Sequence, residues 1–504
     1  MKNTSLYIIL LLVFACQQQT NENAIASKDV QEDIAFLVAE LSQKSSYVDL
    51  NGYDYRKDIE VFLQRANKAP LDTTDLGLFL TQTIGKIGDR HASVRGYDLA
   101  DTLFLPYAVA PYGNEVVLLI PGTDQASYEL AYPNYPLLKV IDGVPIKAFL
   151  SSILPEEIMA PQSAYHTRAT RALRDIQLAY QLQGKEVPNP LPITLTDLTG
   201  SVDTSLQIEL VTRKKRRINW DEKFYRKYFF LVEEDEDYNK ANIYTQLFTN
   251  TDNIAYIHLP KMVKEDEAPN LYAALDSFMQ HPDTKRTEAL IIDVRNNSGG
   301  GRGLIMKMAS YVIHPDSIHV VNVAQQRAEL PLNEDWKRQL HNRYLFAYDE
   351  LNAAEQKAVT TFNASFRPQY TLDTTKYSEA YYCVLNGKKI SRADHYYDRP
   401  VYVLANERSF SAASVLTGMF KGLPQVTIAG MNTDGSSGNS ESFRLPNTDL
   451  KVKVSTLVSF QKDGRLFDGF GTAPDVVIER DLDQILWKRD SQLERLREII
   501  KASK

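Results

Sequence analysis

The stretch VYVLANERSFSAASVLTGMF, Val401–Phe420, restricts what this chain can fold into more than any other. It opens with mostly apolar residues rich in valine, the signature of a buried strand. A polar break at 406–409 follows. From Ala412 onward Ala, Val, Leu and Met recur at helical spacing. Ser411 therefore falls where a strand gives way to a helix. The first turn of a helix leaves N–H groups unpaired, and these stabilise an anion. A nucleophile whose reaction puts negative charge on oxygen is well served there. The position equally suits an N-cap, and Ser409 or Ser411 could fill that role.

A second stretch has the same order of elements. Ala289–Val294 (ALIIDV) reads as a continuous buried strand, runs into RNNSGGGRG, and continues as the helical LIMKMASYVI. Strand, glycine-rich loop and helix form half of a parallel α/β unit. The loop has neither the GxxxxGK[ST] nor the GxGxxG spacing, which argues against nucleotide binding. It still offers a run of small residues with open backbone N–H groups, as an oxyanion site needs.

At 504 residues the chain is long enough for two to four domains. A net charge of −7 provides no electrostatic basis for nucleic-acid binding. The eight histidines are scattered singly, without HExxH or a C-x₂-C pattern, so no metal site and no cofactor is expected. His91 stands out because Asp89, Arg90 and glycines surround it at a helix-breaking turn, although a surface histidine would also fit. His258, in the strand YIHL, reads as a packed core residue.

The amino terminus differs in kind. Residues 1–15 contain one lysine and the apolar run LYIILLLVFA, ending at Cys16 and a polar tract. The run is too short to span a bilayer and reads as a signal peptide. Its Val-Phe-Ala-Cys ending resembles a bacterial lipobox. Lipidation of Cys16, with 16–27 as a tether, would hold the protein on a membrane in an exported compartment of the cell envelope. Residues 28–100 read as an N-terminal helical domain. Residues 101–220 read as a β-rich domain with a helical insertion near 163–182. Residues 221–504 read as an α/β core, with a peripheral insertion at about 331–400. The runs RKKRR (213–217) and EEDED (233–237) read as solvated faces.

Four stretches in fixed order, ALIIDVRNNSGG, VYVLANERSFSAASVLTG, IAGMNTDGSSGNS and FDGFGTAPDVVI, resemble the tail-specific or C-terminal-processing serine peptidases of family S41. The resemblance implies a multi-domain α+β chain with a ClpP/crotonase-like α/β core. It also implies an N-terminal helical domain and a degenerate PDZ-like domain around LLKVIDGVPI. Ser411 matches the nucleophile. The lysine that many members place about 25 residues later is Ser436 here. A second branch, including tricorn-like peptidases and a chlamydial secreted peptidase, uses Ser, His and an acid. Its motifs match Asp89-Arg90-His91 and Asp468-Gly469-Phe470-Gly471, with Asp468 where Glu is commoner. The resemblance thus implies a His91, Ser411 and Asp468 triad. It places oxyanion donors at the N–H of Ala412 and of Gly299 or Gly300. Histidine suits general-base work near neutral pH. The expected activity is hydrolysis of protein or peptide substrates through an acyl-enzyme. A non-catalytic peptide-binding protein on the same fold, or an esterase-like acyl hydrolase, are the alternatives.

Overall fold

The computed structural model describes residues 24–97, 103–124, 127–154, 161–215, 247–391 and 396–503. The signal segment, Cys16, the acidic run 233–237 and the end of the basic run lie outside the described residues. The molecule is a multidomain α+β chain: helices first, then sheets.

Three helices open it, Ser27–Lys44, Tyr55–Ala66 and Thr73–Lys86. In the first, Val30, Ile34, Leu37 and Leu41 recur every three or four residues and all four are buried. The third begins with a reciprocal cap: the Asp72 carboxylate accepts the Asp75 N–H at 2.9 Å, and Asp75 accepts the Asp72 N–H. Gly88, at φ +81°, turns the chain out of it. His91 follows in the turn, before the short strand Ser93–Arg95 pairs antiparallel with Lys451–Ser455.

The β-rich domain is an antiparallel sheet in the order Ala108–Tyr112, Glu115–Pro121, Leu137–Ile141, Leu191–Thr196, Asp203–Ile208. Asp142-Gly143 turns the chain after Leu137–Ile141, with both residues at positive φ. Helices Gln162–Ala172 and Ile176–Gln181 fill the interval read as a helical insertion.

The α/β core is a six-stranded sheet ordered Val476–Val477, Val426–Gly430, Val401–Ala405, Ala289–Asp293, Ile254–His258, Phe248–Thr251. All neighbours run parallel except the last pair. Every residue of Ala289–Asp293 is buried, as befits a parallel strand covered on both faces. The carboxyl ends of this strand and of Val401–Ala405 lie side by side, Asp293 opposite Leu404. The glycine loop and the Ser411 turn therefore leave the sheet at neighbouring points.

The segment 331–400 corrects one expectation: it is not a peripheral insertion. It supplies the strand Tyr381–Asn386, which lies between Phe346–Ala347 and Ile318–Gln326 in a four-stranded sheet completed by Leu457–Phe460. Tyr381, Tyr382, Cys383 and Leu385 are all buried, so both faces of this strand are covered. A strand buried on both faces lacks alternation, and tyrosines among charged neighbours hid it. KVKVSTLVSF also divides at Thr456. Lys451–Ser455 pairs with the His91 segment, while Leu457–Phe460 joins the four-stranded sheet.

The N-terminal helices share one apolar core with that four-stranded sheet, uniting Leu37, Leu41, Leu80, Val323, Val359 and Phe460. Burying one leucine fully contributes about 1.5–3 kcal/mol. The helical domain is thereby fixed to the core that carries Ser411.

Candidate active site

Ser411 has φ +52° and ψ −121°, a conformation that L-residues seldom adopt. The surrounding hydrogen bonds hold it there. Ser409 Oγ accepts the Asn406 N–H at 3.0 Å and donates to the Val294 carbonyl at 2.8 Å. The Phe410 N–H donates to the Asn297 carbonyl at 2.9 Å. Ser436, at the position where a lysine is absent, accepts the Ser411 N–H on its Oγ at 2.7 Å. Ser411 stands at the N-cap of Ala412–Phe420, yet its side chain makes no capping bond. Ser409 is part of the turn and not a cap. The hydroxyl of Ser411 is left for other work.

The glycine loop presses against this elbow. A Cβ on Gly299 would stand 2.6 Å from Ser411 Cβ and 3.0 Å from the Ala412 nitrogen. A Cβ on Gly300, at φ +141°, would meet the Met262 carbonyl at 2.2 Å. Both glycines are therefore required by close approach. Of the expected oxyanion donors, the Gly299 N–H is already taken: it donates to Asn297 Oδ1 at 2.7 Å. The N–H groups of Gly300 and Ala412 donate to nothing among the described residues. Of the expected donors, Gly300 and Ala412 are thus the ones whose N–H groups remain unbonded among the described residues.

His91 is buried, and its ring packs on Phe410, the neighbour of Ser411, with centroids 4.8 Å apart. Two anchors dock its turn. The Asp89 carboxylate accepts from the His91 N–H at 2.9 Å, and from the N–H and Oγ of Ser455. On the other side Arg90, wholly buried, forms an ion pair with Asp434. Asp434 in turn donates its N–H to the Ser409 carbonyl at 3.2 Å. Arg90 and Asp434, 344 positions apart in sequence, thus meet beside one elbow through this docking.

Burial pulls the His91 imidazole down to about 4, with Lys453, Arg90 and Arg343 pushing the same way and Asp434 opposing. The ring is a neutral base at ordinary pH. Its Nδ1 is buried and has no hydrogen-bond partner.

Asp468 is buried nearby but does not touch His91. It accepts the Ser437 N–H at 3.2 Å and the Ser437 hydroxyl. Burial pushes its carboxyl up to about 7; hydrogen bonds from Ser437 and Tyr47 pull the other way, and Asp89 adds repulsion. The His91 ring meets Phe410 beside Ser411 and Gly299 presses on Ser411 and Ala412, whereas Asp468 is bonded to Ser437 and makes no ion pair with His91. Asp434, Ser437, Asn297 and Tyr47 were not singled out from sequence, and Ser436 was noted only as the place of the absent lysine. All but Tyr47 lie inside or beside the motifs quoted above, which is the signal that could have found them. His258 is a packed core residue, as expected.

Residues 253–478, the α/β sheet with its two loops and the four-stranded sheet, match the family model described as peptidase family S41. The chain has the S41 peptidase fold. Solved structures agree along nearly the whole length. Mature CPAF superposes with a TM-score of 0.63 at 16% identity, covering 94% of this chain and 97% of that one. Mature CPAF complexed with lactacystin superposes at 0.61 and 16% identity, covering 95% and 98%. Identity this low speaks for fold alone. The fold is nevertheless shared beyond the matched region, since the N-terminal helices and the β-rich domain are included in the superposition.

Proposed function

We propose that this S41-fold protein is a serine peptidase that hydrolyses peptide bonds of protein or peptide substrates through an acyl-enzyme at Ser411. The observation that carries this reading is the elbow itself. Ser411, strained and with an uncommitted hydroxyl, lies between Ala412 and the Gly299–Gly300 loop, where the Ala412 and Gly300 N–H groups are unspent, and the neutral His91 ring rests on the adjacent residue. In this reading His91 takes the Ser411 proton as the hydroxyl attacks a carbonyl carbon. The N–H groups of Gly300 and Ala412 hold the resulting oxyanion. His91 then protonates the leaving amine, and water repeats the cycle to release the acid. Asp468 acts as the acid that fixes the imidazole, which requires Nδ1 to gain the partner it lacks. Apo sites often tighten only with substrate.

The ClpP/crotonase-like naming of the core and the PDZ-like naming of residues 101–220 belong to the same proposal. So do lipidation at Cys16 and anchoring on an exported membrane surface. The unengaged Asp468 favours one rival, a non-catalytic peptide-binding protein on this fold. Labelling with a fluorophosphonate separates them. Wild-type protein is expected to label at Ser411, S411A not at all, and H91A far more slowly. No labelling of the wild type, or full-rate labelling of H91A, would reject the mechanism. Hydrolysis of peptides and of short acyl esters, measured side by side, decides between peptidase and esterase.

A further inference from the structure

The loop that provides Gly300 continues into Arg302, a residue with no task in the chemistry above. Arg302 is 7% exposed. Its Nη1 donates to Asn322 Oδ1 at 3.3 Å and to the Arg343 carbonyl at 3.2 Å, and its Nη2 donates to nothing. No carboxylate meets it among the described residues. The nearest ionisable sulfur, Cys383, is pushed up to about 12 by burial and so is neutral. Arg343 has the same deficiency: its guanidinium donates to the Gln339 carbonyl and to Asn439 Oδ1, both uncharged. By contrast, the buried Arg90, Arg295, Arg327 and Arg480 each meet a carboxylate. A buried charge without a counter-charge is destabilising, so such groups are ordinarily paired. Burial and the neighbouring Arg343 pull Arg302 down to about 10, in line with an uncompensated cation.

Arg302 also lines the large cavity, of about 1210 Å³, that runs past Gly301, Gly303, Tyr272, Met306 and Tyr344. The cavity's lysines, Lys264, Lys307 and Lys389, are spoken for by Glu267, Asp276 and Glu355. Its acids Glu265, Asp266 and Glu350 are exposed. Among the lining cations, Arg302 is the one that meets no carboxylate among the described residues. The helix Gly303–Val312 starts at the same place and adds the partial positive charge of its N-terminus. Arg343 connects the cavity wall to the elbow, because its charge acts on both Arg302 and His91.

We propose that Arg302, supported by Arg343, receives a carboxylate of the bound peptide, an Asp or Glu side chain or a free C-terminus, in the cavity beside Gly300–Gly301. The planar guanidinium fork matches a carboxylate in two hydrogen bonds, and the pair gains most where water is excluded. This rests on the reading that Ser411 cleaves peptides.

Two peptide series test it on the full-length protein. One exchanges Glu for Gln at each position flanking the scissile bond, and the other compares free-acid with amidated C-termini. One of the carboxylates is expected to raise kcat/KM at least tenfold, and the advantage is expected to shrink as salt is added. The series that shows the effect identifies the source of the carboxylate. R302Q should collapse the acid-to-amide ratio, and R302K should restore part of it. Equal rates for all peptides with active wild-type protein would overturn the proposal, and this comparison needs no variant to fold. Binding of the same peptides to S411A, followed by fluorescence anisotropy, is independent of turnover. If the wild type neither cleaves nor labels, the peptidase reading fails. Tighter binding of the acidic peptide to S411A would still support the anion site, and equal binding would sink it.

Discussion

At the scale of residues, four positions make sharp demands. Gly299 and Gly300 are required by contact distance, since any side chain there enters Ser411, Phe410 or the Met262 carbonyl. Gly299→Ala is expected to destabilise the protein by about 1–3 kcal/mol in urea unfolding. Fluorophosphonate labelling should fall at least tenfold, because the elbow must move. His91 is held to about 4 by burial, so it supplies a free base throughout the neutral range, whereas Asp468 ionises only near 7. If Asp468 serves as the triad acid, wild-type labelling should rise with pH through about 7. D468N should lose that rise and label more slowly at pH 8. An unchanged rate–pH profile in D468N would remove Asp468 from the triad. Both residues are readable from their motifs; the shifted acidities are not, because they follow from burial by distant parts of the chain.

At the scale of elements, the turn 89–91 and the loop 431–440 work as a clasp. Asp89 is fixed to the strand Lys451–Ser455, and Arg90 reaches across to Asp434, whose own N–H is bonded to the elbow. Removing one member of a buried pair leaves the other charge unpaired, at roughly 3–5 kcal/mol. Asp434→Ala is accordingly expected to destabilise by that order. The variant should also label more slowly than wild type at a temperature where both are folded, since His91 loses its register against Phe410. Urea titration and labelling kinetics on the same preparation check both parts. Element existence was largely legible: the helices 27–86 and the strands at 254, 289, 401 and 426 follow directly from apolar period. The strand Tyr381–Asn386 was not, because its tyrosines, cysteine and asparagine break the continuous aliphatic run that marks a strand covered on both faces.

At the scale of the whole molecule, the site exists only where domains meet. The N-terminal helices share a core with the four-stranded sheet. Asp33 accepts the N–H groups of Asn447 and Thr448 at 2.8 and 3.0 Å. On the other side Glu407, beside the elbow, takes Arg480 at 2.6 Å and the Thr167 hydroxyl of the β-rich domain at 3.1 Å. Stability should carry the imprint of the buried site groups. The Asp468 carboxyl is raised in the fold, so it favours folding below its ordinary pKa and loses that contribution as pH rises through about 7. His91 is lowered, so its contribution is present above about 6.5 and is lost as pH falls through about 4. Measured as urea midpoints, D468N is therefore expected to gain on the wild type between pH 5 and pH 8. A constant difference across that range would count against the raised carboxyl.

The sequence by itself determined the local pieces: a strand–turn–helix at Ser411, a glycine loop able to approach it, a histidine at a helix end, and the motif order that marks the S41 fold. These are legible because period, turn chemistry and short spacings act within a few residues. Tertiary structure alone decided the rest. It consumed the Gly299 N–H on Asn297 and left Gly300 and Ala412 open. It bound Asp468 to Ser437, buried His91 without a partner on Nδ1, and set an uncompensated Arg302 in the wall of a cavity. Each of these depends on which distant groups share a buried volume, where a hydrogen bond or a charge cannot be balanced by water. What Ser411 can do is thus written in its own stretch, and whether it can do it depends on residues more than three hundred positions away.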